Sequence, residues 1–121
     1  MKGRGDRPAR VAERIREEIS LILLRRVKDP GLDGVTVTDV TMTGDLKIAR
    51  VHYSVRGGEE ERIAARDALR RSRGYIRKEL GGALRMRYSP DVTFHYDTSF
   101  EKGIRIDALL RRAAEERSGE E

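Results

Sequence analysis

The chain has 121 residues, the length of one small domain, with 37 % hydrophobic and 39 % charged residues. It contains no Cys, which excludes disulfides and thiolate metal sites and suits a reducing compartment. The net charge is +5, and its distribution is uneven: Arg62 to Arg87 holds nine Arg or Lys against Asp67 and Glu79, a local +7 that leaves −2 for the rest. Solvated faces usually mix signs, so a charge this localised reads as a footprint for a polyanion.

Residues 1–7 (MKGRGDR) read as a basic flexible arm. No apolar run of signal-peptide or membrane-spanning type occurs, so a soluble cytoplasmic protein is expected. A first helix is predicted from Pro8 to Lys28, with Asp6 as N-cap. Its stripe is Val11, Ile15, Ile19, Ile22, Leu23 and Val27. Asp29-Pro30 ends it, because the residue before a proline is pushed out of the α region.

Val35 to Thr43 is β-branched and alternating, and predicts a strand. Its phase slips between Val37 and Val40, and a bulge near Asp39 would turn Val35, Val37, Val40 and Met42 inward together. Gly44-Asp45 is a turn signal. Leu46 to Val55 predicts the second strand of an antiparallel hairpin, with Ala49, Val51, Tyr53 and Val55 in one phase.

Gly57-Gly58 breaks that strand, and Glu59 to Glu61 start a long helix where the macrodipole favours acids. On a helical wheel, at about 100° per residue, Ala65, Ala68, Leu69, Ser72, Ile76, Leu80 and Ala83 form the core stripe. Arg66, Arg70, Arg73 and Arg77 form a separate row at spacings of 4, 3 and 4. Like charges stacked in this way repel, an arrangement that makes sense when an anion lies across them. Gly74 falls beside the row and off the core stripe. It therefore predicts a kink or a bare stretch of backbone that a phosphate can approach, against the plainer reading of a tolerated surface glycine. Gly81-Gly82 is the expected stop, with Ala83 to Arg87 a loose continuation delivering Arg85 and Arg87. Tyr75 and Tyr88 stand beside these residues as candidate base-stacking groups or as cover for the helix–sheet edge.

Val92, Phe94 and Tyr96 alternate as a third strand, and a last helix is expected near Ile106 to Glu115, offering Ile106, Leu109, Leu110 and Ala113. The expected order is α-β-β-α-β-α: one α+β domain over residues 8–112, with 113–121 a disordered tail. His95, Asp97 and Ser99 alternate along a strand, roughly 6 to 7 Å apart, too far for a hydrogen-bonded catalytic chain. No catalytic residue, metal site or cofactor is expected, and the only histidines are His52 and His95.

The strings KDPGL at 28–32, GDLKIARVHYSV at 44–55, RGYIRKELG at 73–81, LRMRYSPDVTFHYDTS at 84–99 and GIRIDALL at 103–110, in this order, resemble the bacterial ribosome-binding factor A family over almost the whole chain. The resemblance implies a KH-like fold of the second type, with a three-stranded sheet, helices on one face and a kinked long helix. It implies a non-enzymatic, monomeric assembly factor that binds the small ribosomal subunit and its rRNA, beside ribosomal proteins and other assembly factors. Late maturation, rRNA processing and cold adaptation go with it. The family's kink has the form Ala-x-Gly, which falls here on Ser72, Arg73 and Gly74, with Ser in place of Ala. The literal GxxG, Gly31 to Gly34, carries an acid and follows a different helix, and reads as a turn. The RNA-binding set is therefore Arg66, Arg70, Arg73, Gly74, Arg77, Lys78, Arg85 and Arg87. The alternatives are a KH-like module for another nucleic acid, or a protein adaptor whose arginines dock on an acidic partner.

Overall fold

A computed structural model describes residues 2–120, with side chains described for 7–99 and 107–116. Helix α1 (Lys2–Arg25) leads through a short 3-10 turn (Pro30–Leu32) into strands β1 (Val35–Met42) and β2 (Ile48–Val55). Helix α2 (Glu59–Leu84), strand β3 (Asp91–Tyr96) and helix α3 (Ser99–Glu120) follow. The sheet order is β1-β2-β3, antiparallel between β1 and β2 and parallel between β2 and β3. A parallel neighbour needs a crossover, and α2 supplies it.

The apolar stripes meet where periodicity puts them. Ile15, Ile19 and Ile22 of α1, Ala65, Ala68, Leu69, Ile76 and Leu80 of α2, and Ala49, Val51 and Val92 of the sheet are all buried. A buried side chain of Ile or Leu size contributes about 1.5–3 kcal/mol, so this layer is the main source of stability. The phase slip in β1 is a bulge. Val37 pairs with Tyr53 and Asp39 with His52, which leaves Thr38 as the extra residue, and Val37 and Val40 are both buried.

The helix ends differ from expectation. α1 starts at Lys2, so residues 2–7 are helical and Asp6 lies inside the helix, not at its cap. Pro8 is accommodated within it at the loss of the one backbone bond that its missing N–H would make. α2 passes through Gly81-Gly82 and ends at Leu84. Leu84 is buried, so the last turn gains apolar contact. Arg85 then leaves in the left-handed region at φ 53°, its N–H donating to the Gly81 carbonyl. α3 extends to Glu120, through the region expected to be a disordered tail. Its Leu109 and Leu110 are 62 % and 61 % exposed, so they take no part in the core expected of them; the side chain of Ile106 lies outside those described.

Asp97 fastens the junction of β3 and α3 to the bulge. It accepts from Ser99 Oγ at 2.5 Å, Thr38 Oγ1 at 2.6 Å and the Ser99 N–H at 2.9 Å. The roughly 6 to 7 Å separation expected of Asp97 and Ser99 along a strand does not hold, because β3 ends at Tyr96 and Ser99 begins α3, so its hydroxyl folds back onto Asp97 in a turn. His95 Nε2 is paired with Thr93 Oγ1 at 2.8 Å instead. The Ser99 hydroxyl first, then Thr38, hold the Asp97 carboxyl down at about 2, from an ordinary 3.8. A depressed folded-state value stabilises the fold fully above the unfolded value, and that stability is lost as pH falls through the folded one. The wild type is therefore expected to lose stability between pH 4 and 2 more steeply than Asp97→Asn in urea titrations. Parallel curves would exclude Asp97 as the titrating latch.

Candidate nucleic-acid interface

Three long-range polar contacts fix α2 against its surroundings before any ligand arrives. Arg71 Nη2 lies 3.0 Å from Asp29 Oδ2, and Nε bonds the same oxygen at 3.3 Å, tying α2 to the 3-10 turn. Asp29 also accepts the Gly31 N–H at 3.0 Å. That bond first, then Arg71, hold its carboxyl below the usual range. Arg26 pairs with Glu79, and Arg14 Nη2 donates to the Ala83 carbonyl at 3.0 Å.

With α2 held, its cations divide into two groups. Arg73 is a structural clamp as much as a surface charge: Nε donates to the Val92 carbonyl and Nη2 to Asp91 Oδ1, each at 2.8 Å. Arg77 Nη1 stands 3.8 Å from the same Asp91 oxygen. Arg73 first, with the Val92 N–H and Arg77 behind it, holds the Asp91 carboxyl below its ordinary value. Arg66 sits 3.5 Å from its neighbour Asp67. Arg70, Lys78 and Arg85, by contrast, are exposed and make no side-chain hydrogen bond or ion pair among the described residues. Arg87 is exposed with its guanidinium 5.4 Å from the Tyr88 ring centroid.

Gly74 lies midway between the two free cations of the helix, four residues from Arg70 and four from Lys78, so the three share one surface row. A Cβ built there meets nothing within 4 Å. The glycine is not required for packing; its effect is to leave backbone bare between two unpaired charges. The kink expected at Ser72, Arg73 and Gly74 is not a break between two helices, because α2 is a single helix across these positions. Ser72 is half-buried at the edge of the core stripe, as a small residue there requires. Thus the structure brings Arg70, Gly74 and Lys78 together on one side and turns Arg73 and Arg77 towards Asp91.

The clamp residues Arg71, Asp29 and Asp91 are not among those that the charge pattern singles out. Asp29 has a visible signal, an acid directly before a Pro-Gly turn, but its partner is 42 positions away.

Known proteins match this arrangement over most of its length. The family model described as ribosome-binding factor A matches residues 7–110. The chain belongs to the ribosome-binding factor A family. It is 45 % identical over 105 residues to ribosome-binding factor A of Desulfatibacillum aliphaticivorans, covering 87 % of this chain and 85 % of the relative. It is 44 % identical over 110 residues to that of Halothermothrix orenii, covering 91 % and 90 %. Among solved structures, the crystal structure of ribosome-binding factor A from Thermus thermophilus superposes with a TM-score of 0.63 at 25 % identity, over 74 % of this chain and 94 % of that one. A homology model of the Thermus thermophilus protein, fitted into a cryo-EM map of a 30S complex, shares the fold with a TM-score of 0.61 at 23 % identity, over 72 % and 91 %. Gly74 thus lies in an exposed stretch of a single helix, and Arg70 and Lys78, four residues to either side of it, have no partner among the described residues.

Proposed function

We propose that the chain is an assembly factor that binds the small ribosomal subunit through its rRNA and supports late maturation, including rRNA processing. The observation that carries this reading is the free row Arg70–Gly74–Lys78, continued by Arg85 and Arg87, in a family whose Thermus thermophilus member has been fitted into a 30S complex. Unpaired cations beside bare backbone suit phosphate groups. Phosphate contacts position a protein without reading sequence, so selectivity for the subunit comes from rRNA shape and neighbouring ribosomal proteins. Arg66, Arg73 and Arg77 add to the field of this face while partly engaged with acids. Binding without a chemical step is all this role requires, and its setting is the cytoplasm; no helix among the described residues is long and apolar enough to cross a membrane.

The test is co-sedimentation of the full chain with purified small subunits and with mature ribosomes across a salt series. Retention on small subunits that falls steeply with salt is expected. Retention that is equal on both particles, or insensitive to salt, overturns the reading in favour of another RNA or a protein partner.

A further inference from the structure

Arg85 and Arg87 also border a groove at the opposite end of α2 from its acidic start. The β1–β2 turn, the first turns of α1 and the loop from Arg85 to Ser89 enclose an open groove of about 670 Å³. That is within the range of small-molecule sites, roughly 300–1,000 Å³. Arg7, Lys47, Arg77, Arg85 and Arg87 line it against two acids. Both acids are already occupied. Asp45 accepts from Thr43 Oγ1 at 2.7 Å and from the Lys47 N–H at 3.1 Å, and Asp91 takes Arg73. Arg7, Lys47 and Arg85 have no side-chain hydrogen bond or ion pair among the described residues.

Two contacts join the walls. The Asp91 N–H donates to the Lys47 carbonyl at 2.8 Å, joining the turn to the start of β3. At Gly81 a Cβ would approach Ser89 Oγ to 3.1 Å, so the loop rests closely on α2. The described non-glycine residues with positive φ are Leu46 at 62° and Arg85 at 53°, and both line this groove. Arg85 takes this conformation as the cap of α2, and Leu46 takes it in the β1–β2 turn, so both walls of the groove are set by backbone turns. At the mouth stands Tyr88, 74 % exposed, with Arg87 over its ring.

We propose that this groove binds single-stranded RNA, one unstacked base lying on Tyr88 and the adjoining phosphates held by Lys47, Arg85 and Arg7. Free cations supply the backbone contacts, and an exposed ring flanked by a guanidinium supplies a stacking platform that tolerates any base. Duplex RNA keeps its bases stacked and offers nothing to the ring. The proposal deepens the rRNA-binding reading and rests on it, by specifying an unpaired segment as the ligand and adding Lys47, Arg7 and Tyr88 to the contact surface.

The probe is a fluorescein-labelled oligo(A) octamer, alone and annealed to oligo(U), titrated with the full chain. The single strand is expected to bind better than the duplex. Tyr88→Ala weakens the single strand about tenfold and Tyr88→Phe leaves it within about twofold, since the ring and not the hydroxyl is used. Lys47→Gln reduces the salt slope by about 0.7. Tyr88 is exposed, so these changes leave folding intact. No binding of the octamer, equal binding of duplex, or Tyr88→Ala indistinguishable from wild type overturns the proposal. Loss of subunit binding by Tyr88→Ala with octamer binding unchanged overturns it too, and assigns the groove to a protein. Co-sedimentation separates the two readings: wild type, Tyr88→Ala and Lys47→Gln retained equally on small subunits would leave the assembly-factor reading standing and remove only the groove.

Discussion

Gly31→Ala is expected to destabilise the fold by about 1–3 kcal/mol, the cost of forcing a methyl group into a filled space. A Cβ at Gly31 would stand 2.8 Å from the Ala64 carbonyl oxygen and 2.9 Å from Ala68 Cβ. Neither neighbour can rotate away: one is helix backbone and the other is the first carbon of a fully buried alanine. Relief requires lifting the 3-10 turn off α2. That movement carries Leu32 out of the core and stretches the Arg71–Asp29 contact, because Asp29 also holds the Gly31 N–H. Urea unfolding is expected to show a lower midpoint with an unchanged slope, the signature of lost stability without a change in the surface exposed. An unaltered midpoint would mean that the turn shifts freely, and that the tight approach contributes nothing.

Gly31 also shows where sequence reasoning stops. Its GxxG string reads as a turn and not as a phosphate clamp, yet nothing local reveals that it touches Ala64 and Ala68. Close approach between distant segments is a property of the docked elements, whereas periodicity reports only which face of one element is apolar. For the same reason the buried stripes of α1 and α2 and the β1 bulge are legible, the bulge as a phase slip between Val37 and Val40. Helix ends are less so. The gain from burying Leu84 outweighs the cost of two glycines, and that gain exists only once α2 lies on the sheet. The arginine row is visible as a pattern of charge. What the pattern omits is that Arg73 and Arg77 face Asp91, an acid 18 and 14 positions further along, so equal residues in one row have unequal roles.

That inequality gives the second large effect. Arg70→Gln with Lys78→Gln is expected to flatten the salt dependence of binding to small subunits by about 1.4 to 1.8 in log–log slope, two phosphate contacts' worth. Thermal stability should stay within about 0.5 kcal/mol of wild type, because neither side chain has a partner to lose among the described residues. Arg73→Gln with Arg77→Gln should behave in the opposite sense. The Arg73 bond to the Val92 carbonyl and the pair with Asp91 are half-exposed, so solvent screening limits their loss to about 1 kcal/mol, but it falls on the docking of β3. The slope should then change by less than in the first pair, since these two arginines reach an anion only by sharing it with Asp91. Gly74→Ala completes the comparison. The helix gains about 0.5–1 kcal/mol, because the new methyl meets nothing and alanine is the better helix former. A more stable protein that binds subunits less tightly would show that bare backbone between Arg70 and Lys78 takes part in the contact. Unchanged binding would reduce the glycine to a spacer and leave the two cations as the active part of the row. If instead both double variants flatten the slope equally, Asp91 releases its arginines on binding, and the whole row acts as one surface.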